Sequence, residues 1–115
     1  MGAEHRRARR KRATDFIQVV DTMTDEVVGR VGDLSSNGMM MLAPRPLVDD
    51  ALYQFRFNLP DARHRTRRIE VGAHELWATP VAGEDQFLCG YRFIDISPED
   101  EALLAAWVDS PEIEG

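Results

Sequence analysis

A cluster of arginines near the N-terminus has the chemistry to bind phosphate and flat bases. The stretch Arg6-Arg7-Ala8-Arg9-Arg10-Lys11-Arg12 places six cations in seven positions. A guanidinium can grip a phosphate or the O6/N7 edge of guanine with two parallel hydrogen bonds, and its flat face can stack on a purine. Such a stretch is also typical of a solvated basic tail, so the composition alone leaves both interpretations open.

The stretch from Asp33 to Met41 combines turn-forming side chains with a glycine between two apolar runs. Asp33 and Ser35 can each hydrogen-bond neighbouring backbone amides, and Gly38 can take a positive φ or let a ligand approach the main chain. The stretch is therefore a binding loop or an ordinary hairpin, and taken alone its composition favours the hairpin.

Together the two stretches resemble the paired signature of PilZ domains, receptors for the bacterial second messenger cyclic di-GMP. In that family, Arg-Arg-x-x-Arg in an N-terminal arm precedes Asp/Asn-x-Ser-x-x-Gly at the start of a six-stranded barrel. The matching positions are Arg6, Arg7 and Arg10 for the first motif and Asp33, Ser35 and Gly38 for the second. A third stretch, residues 89–97, resembles the last barrel strand of the family running into its C-terminal helix. The resemblance thus extends over nearly the whole chain.

The resemblance implies that those six residues bind cyclic di-GMP. Asp33 would accept hydrogen bonds from guanine N1–H and N2–H, Ser35 would donate to a phosphate, and Gly38 would keep the floor of the site clear. Further candidate contacts are Arg9, Ser36, Asn37 and Trp77. Trp77 would either stack on a guanine or be a core or barrel-rim residue. The register of the arm also stays open, because Arg9 and Arg12 offer a similar reach, although Arg6, Arg7 and Arg10 fit the family spacing best.

Length and composition predict one globular domain. The chain has 115 residues, of which 43% are hydrophobic and 30% charged, and this length supports a single core. No apolar run approaches the roughly 20 residues that a membrane span needs, and no apolar segment follows the basic N-terminus as in a secretory signal. Cys89 is the only cysteine, so no internal disulfide forms. We therefore expect a cytoplasmic protein without membrane insertion.

The charge is distributed unevenly. The chain carries a net charge of −6, yet residues 1–12 hold six basic residues against Glu4 alone, a balance of +5. The remaining residues hold eight basic and nineteen acidic side chains, a balance of −11. A basic arm on an acidic body suits a small phosphate ligand, and it argues against nucleic acid, because a duplex binder spreads its cations over one face.

Hydrophobic periodicity predicts six strands followed by one helix. Residues 52–59 alternate most clearly, with Tyr53, Phe55, Phe57 and Leu59 on one face. Residues 67–79 form a long strand with a bulge near Gly72, and Ser97-Pro98 begins a helix. The other predicted strands are residues 16–20, 26–33, 39–42 and 87–96. Without βαβ alternation, the prediction is an all-β fold with a C-terminal helix, a six-stranded antiparallel β-barrel. We expect a flexible arm over residues 1–12, the barrel and helix over 13–109, and a tail over 110–115.

Catalytic signatures are missing from the sequence. The three histidines lack metal-ligand spacing with Cys89 or a carboxylate, and no Gly-x-Ser-x-Gly motif or phosphate-binding P-loop occurs. Together with this, the resemblance to PilZ domains implies a cyclic di-GMP receptor without enzyme activity, which we expect to reorder its arm on binding and to relay the signal to a downstream protein partner. The alternatives are a PilZ-like protein-interaction module that binds no nucleotide, and a nucleic-acid binder using the basic arm.

Overall fold

A computed structural model describes residues 9–45 and 51–111 of the chain. These residues form strands and one helix, in agreement with the prediction. The strands are β1 (Arg10–Arg12), β2 (Gln18–Asp21), β3 (Glu26–Ser35), β4 (Gly38–Ala43), β5 (Leu52–Pro60), β6 (Thr66–Pro80) and β7 (Phe87–Ile96), and the helix is α1 (Pro98–Asp109). Pro44 and Arg45 follow β4, and residues 46–50 lie outside the described residues.

Six of the strands close into an antiparallel barrel. Their order around it is β2, β3, β4, β7, β6 and β5, and β5 pairs back onto β2. Every pairing is antiparallel, as expected when successive strands are joined by short turns. The predicted six-stranded barrel with a C-terminal helix is confirmed.

The additional strand, β1, pairs with the same edge of β3 as β2 does, beyond the end of β2. Arg10, Lys11 and Arg12 lie opposite Ser35, Leu34 and Asp33, whereas β2 pairs with residues 26–30 of the same strand. Between the two, the Ala13 amide donates to the Gly32 carbonyl and the Val31 amide donates to the Ile17 carbonyl, so residues 14–16 leave the ladder.

This edge corrects two sequence predictions. The basic arm over residues 1–12 was expected to lack regular structure, but its last three residues form a strand because β3 presents free backbone groups beyond the end of β2. Residues 1–8 lie outside the described residues. The first predicted strand was expected to begin at Phe16, but Phe16 lies in the excursion and is 68% exposed, and β2 begins at Gln18.

The core fills the barrel in the alternation that the sequence predicts. Phe55, Phe57 and Leu59 point inward from β5 and are buried. Ile69, Val71 and Ala73 of β6 are also buried. The predicted bulge occurs between Gly72 and Ala73, and a second one between Glu75 and Trp77. Each bulge bends the long β6 strand around the barrel.

Helix α1 packs against the barrel end at which β3 and β5 finish and β6 begins. Ser97 is its N-cap, accepting from the Asp100 amide at 3.1 Å, and Pro98 begins the helix as predicted. Leu104 and Val108 are buried against the barrel. Leu103 and Trp107 are half-buried and pack against the same core. The helix therefore covers the end of the barrel at which the Asp33 stretch and the arm meet.

Candidate functional site

An ion pair joins the two predicted motifs. Arg10 Nη1 lies 2.5 Å from Asp33 Oδ1, and their side chains are 52% and 21% exposed. Because side chains alternate along a strand, Arg10 and Arg12 share the outer face of β1 with Asp33 of the neighbouring strand. The structure thus brings together one arginine of the arm motif and the carboxylate of the loop motif, at a place that solvent reaches.

The turn between β3 and β4 is held by its own serine. The Ser35 hydroxyl lies 2.8 Å from Asn37 Oδ1 and accepts from the Asn37 amide at 3.3 Å. It also lies 3.4 Å from the Gly38 carbonyl oxygen, and the residue is only 1% exposed. Ser36 is half-buried and Asn37 is exposed at the tip. The hydroxyl that was expected to face a ligand is directed into the turn in this structure.

Gly38 is required by the packing of β4 on β7. A Cβ atom there would lie 2.6 Å from the Tyr91 carbonyl oxygen, well inside contact distance. Among the described glycines, only Gly83 has a positive φ, so Gly38 does not serve as a left-handed turn residue. The close packing of β4 on β7 thus explains a glycine at position 38 without reference to a ligand.

Trp77 lies on the outside of the barrel and presents a ring face to solvent. The indole packs on Gly90, where a Cβ atom would lie 2.3 Å from the ring, and the residue is 44% exposed. Trp77, Gly90, Met40 and Asp33 are paired in one row across four strands. At about 4.8 Å per strand, the backbones of Trp77 and Asp33 are roughly 14 Å apart. The Trp77 ring and the Asp33 carboxylate therefore lie on the same outer wall of the barrel.

Two cations of the arm point away from this wall. Arg9 Nη1 lies 3.1 Å from Asp109 Oδ1 at the end of α1, and both side chains are largely exposed. Lys11 Nζ donates to the carbonyl oxygens of Trp107 and Ser110 at 3.0 and 3.1 Å, and lies 4.5 Å from the Trp107 ring centroid. The structure thus does not direct Arg9 at the Asp33 turn. Arg6 and Arg7 lie outside the described residues.

Sequence reasoning missed the contact between Lys11 and the helix. The last turn of α1 contains no basic residue, although a cation there would satisfy the free carbonyls and the negative end of the helix dipole. That deficit was visible in the sequence. The cation that contacts the end of the helix, Lys11, comes from 96 residues earlier in the chain. It faces the helix, and Arg10 and Arg12 do not, because side chains alternate along β1.

Comparisons with known proteins agree with this architecture. A family model described as PilZ domain matches residues 4–110. The structure of the Bacillus subtilis inhibitor of motility (MotI/DgrA) aligns with a TM-score of 0.71 at 20% identity, over 90% of this chain and 49% of that one. No curated protein sequence matches this chain.

Two Escherichia coli structures are also similar. YcgR in complex with c-di-GMP aligns with a TM-score of 0.67 at 20% identity, over 87% of this chain and 42% of that one. The PilZ domain of YcgR with c-di-GMP aligns with a TM-score of 0.64 at 18% identity, over 90% of this chain and 88% of that one. The chain therefore spans less than half of the longer YcgR structure and about half of the inhibitor of motility. Among the described residues, no helix is long and apolar enough to cross a membrane, and no three metal-ligating side chains cluster.

Proposed function

Because this chain belongs to the PilZ domain family, we propose that it is a cyclic di-GMP receptor that performs no chemistry. The observation that carries the proposal is the ion pair between Arg10 and Asp33 on the outer barrel wall. It places a cation and a hydrogen-bond acceptor side by side, as a nucleotide with phosphates and guanines requires. Of the similar structures, YcgR is described in complex with c-di-GMP, and its isolated PilZ domain likewise.

The proposed ligand set is that of the two sequence motifs. Asp33 accepts from the N1–H and N2–H groups of a guanine, and Arg10 grips a phosphate or the O6/N7 edge. The turn residues Ser36 and Asn37 and the exposed ring of Trp77 supply further contacts on the same wall. The full primary set is Arg6, Arg7, Arg10, Asp33, Ser35 and Gly38. Gly38 contributes through the shape of the turn. Ser35 contributes either by holding the turn through its hydrogen bonds or by binding ligand after those bonds rearrange.

The free energies favour exchange of the ion pair for ligand. An exposed ion pair contributes about 0–1 kcal/mol, and Arg10 is half-exposed. A charge-assisted hydrogen bond to a phosphate contributes about 1.5–3 kcal/mol. Arg10 therefore loses little when it leaves Asp33 and gains more at a phosphate, while Asp33 is freed to accept from guanine. The pair keeps both groups in position without trapping them.

The signal passes through the arm in this proposal. Residues 1–12 form the arm, residues 13–109 the barrel with its helix, and residues 110–115 the tail. Cyclic di-GMP draws the residues ahead of β1 over the Asp33 turn, which hides basic surface and presents a new surface to a downstream protein. Backbone relaxation of the arm measured by NMR with and without nucleotide tests this step, and an unchanged arm at saturation contradicts it.

A calorimetric titration tests the binding proposal. Cyclic di-GMP should bind, whereas GTP and a single-stranded oligonucleotide should bind much more weakly or not at all. Binding of the oligonucleotide alone would favour a nucleic-acid binder, and binding of none of the three would favour a module used only for protein contact. The stoichiometry from the same titration reports whether one ligand or an intercalated pair occupies the site.

A further inference from the structure

A second concave surface lies beside α1 on the other side of β1 from Arg10. It is an open cleft of about 840 Å³ between the helix, the excursion after β1 and the turn joining β5 to β6. Its apolar lining comes from Pro60, Leu103, Ala106, Trp107 and Pro111. The proposed nucleotide site uses none of these side chains, so the cleft needs a separate explanation.

The charge around this cleft differs from that of the rest of the body. Of the eight basic residues beyond the arm, four fall within residues 63–68. The cleft is lined by Lys11, Arg63 and Arg65 against Asp15 and Asp61, a balance of +1 with His64 neutral. The body as a whole carries a balance of −11. An acidic partner is therefore repelled over most of the surface and attracted here, which orients its approach.

Asp61, in the turn from β5 to β6, forms ion pairs with two of these arginines, Arg65 and Arg67. Asp61 accepts from the backbone amides of Arg63 and Arg65 at 2.8 and 2.9 Å, and from the side chains of Arg65 and Arg67. Its side chain is only 9% exposed. Within residues 9–45 and 51–111, the Arg63 guanidinium has no hydrogen bond or ion pair. Arg63 is therefore available to an incoming anion.

The apolar wall of the cleft is fixed in place by the arm. The Lys11 ammonium sits over the Trp107 ring and bonds to the backbone of the same residue, and Leu104 and Val108 anchor the helix on its other face. An apolar surface that includes a tryptophan and is joined by arginines has the composition of a protein-interaction hot spot. A wall that is already rigid costs little conformational entropy on binding.

We propose that this cleft docks an acidic segment of a partner protein. An apolar side chain of the segment enters between Leu103, Trp107 and Pro60, and a flanking carboxylate pairs with Arg63, since Arg65 is already paired with Asp61. Nucleic acid does not fit this surface, because its phosphates would meet the acidic body beyond the cleft. The docking proposal stands independently of nucleotide binding.

The test is an NMR titration that uses the two tryptophans of the chain. The probe is an acetylated decapeptide that alternates glutamate with glycine and carries one central leucine. The indole N–H of Trp107 and the amides of residues 61–66 should shift, while the indole of Trp77, on the barrel wall beyond β7, should stay in place. A peptide with lysine replacing glutamate, and one with glycine replacing leucine, should bind at least tenfold more weakly.

A matched pair of charge reversals completes the experiment. Arg63→Glu should weaken binding of the acidic peptide at least tenfold. Arg45→Glu, the same charge change at the opposite barrel end, should leave binding of the peptide unchanged. Both variants should retain the amide spectrum of the folded protein and should bind cyclic di-GMP like the parent if it binds the parent. The proposal is wrong if Trp107 stays unshifted at about 1 mM peptide, the weak end of specific affinity. Equal weakening by both reversals, or concentration-dependent Trp107 shifts from self-association without peptide, would also overturn it.

Discussion

The ammonium of Lys11 lies 3.0 Å from the carbonyl oxygen of Trp107 and 4.5 Å from the centroid of its ring. It also lies 2.7 Å from the Ser110 hydroxyl oxygen, so it caps the C-terminal end of α1. On β1, the neighbour of Lys11 is Arg10, which pairs with Asp33 on the opposite face. A three-residue strand therefore contacts both the proposed nucleotide site and the wall of the proposed docking cleft.

Replacement of Lys11 by methionine should destabilise the protein while leaving the barrel folded. The substitution keeps an apolar stem but removes the charge that satisfies the last carbonyls of α1 and complements the helix dipole. We expect the free energy of unfolding to fall by about 1–2 kcal/mol, which lowers the melting temperature by roughly 4–8 °C in a domain of this size. Thermal unfolding followed by circular dichroism measures the change.

The matched control for this experiment is Arg12→Met on the same strand. Arg12 is exposed and lies on the face away from the helix, so its replacement should move the melting temperature much less. Equal losses in the two variants would show that Lys11 acts only through the general charge of the arm.

Replacement of Arg10 by alanine should weaken cyclic di-GMP binding while Arg63→Ala leaves it unchanged. A charge-assisted bond to phosphate contributes about 1.5–3 kcal/mol, which corresponds to roughly ten- to hundredfold in affinity. Arg63 is an exposed arginine on the β5–β6 turn and belongs to neither of the two sequence motifs. Calorimetric titration of the two variants decides the matter, and equal affinities would remove Arg10 from the site.

The elements predicted correctly are those whose pattern is local. In β5, the alternation of Phe55 and Phe57 with polar residues specifies both the strand and its buried face, because burial of one face needs nothing else. At α1, Ser97 and Pro98 mark the first turn through bonds within four residues. Short-range patterns of this kind are readable from one sequence.

The missed elements depend on partners far along the chain. The sequence from Arg10 to Arg12 has no apolar period, and it is extended because β3 offers an unpaired edge 23 residues later. Phe16 has strand propensity, but the ladder is interrupted there and the ring lies beside Arg30 at the surface. The roles of Ser35 and Gly38 could not be predicted from the sequence either. They depend on a hydrogen bond within the folded turn and on the close approach of Gly38 to Tyr91 of another strand.

The two polar residues of the Asp33 turn should respond differently to alanine. Asp33→Ala should reduce cyclic di-GMP binding while leaving the fold intact, because its carboxylate faces outward to Arg10. Ser35→Ala should reduce binding too, but it should also lower the free energy of unfolding by about 1–2 kcal/mol, since the buried turn loses the acceptor of the Asn37 amide. Thermal unfolding run beside each titration separates the two effects. If Asp33→Ala lowers only the melting temperature, the turn is an ordinary hairpin.

Acid should remove a stabilising contribution that depends on Asp61. Hydrogen bonds from the Arg65 and Arg63 amides, aided by the Arg67 and Arg65 side chains, lower the Asp61 pKa from the ordinary 3.8 to about 2. A carboxyl with a depressed native pKa stabilises the fold above its unfolded pKa, and this contribution is lost as the pH falls from 3.8 towards 2. Asp61→Asn should therefore be less stable than the parent at about pH 6, with the difference shrinking as the pH falls through that window. Urea unfolding across the range measures it, with Ala62→Ser as a neighbouring substitution that adds no titrating group. A difference between Asp61→Asn and the parent that stayed constant down to about pH 2 would show that the turn does not depend on the Asp61 charge.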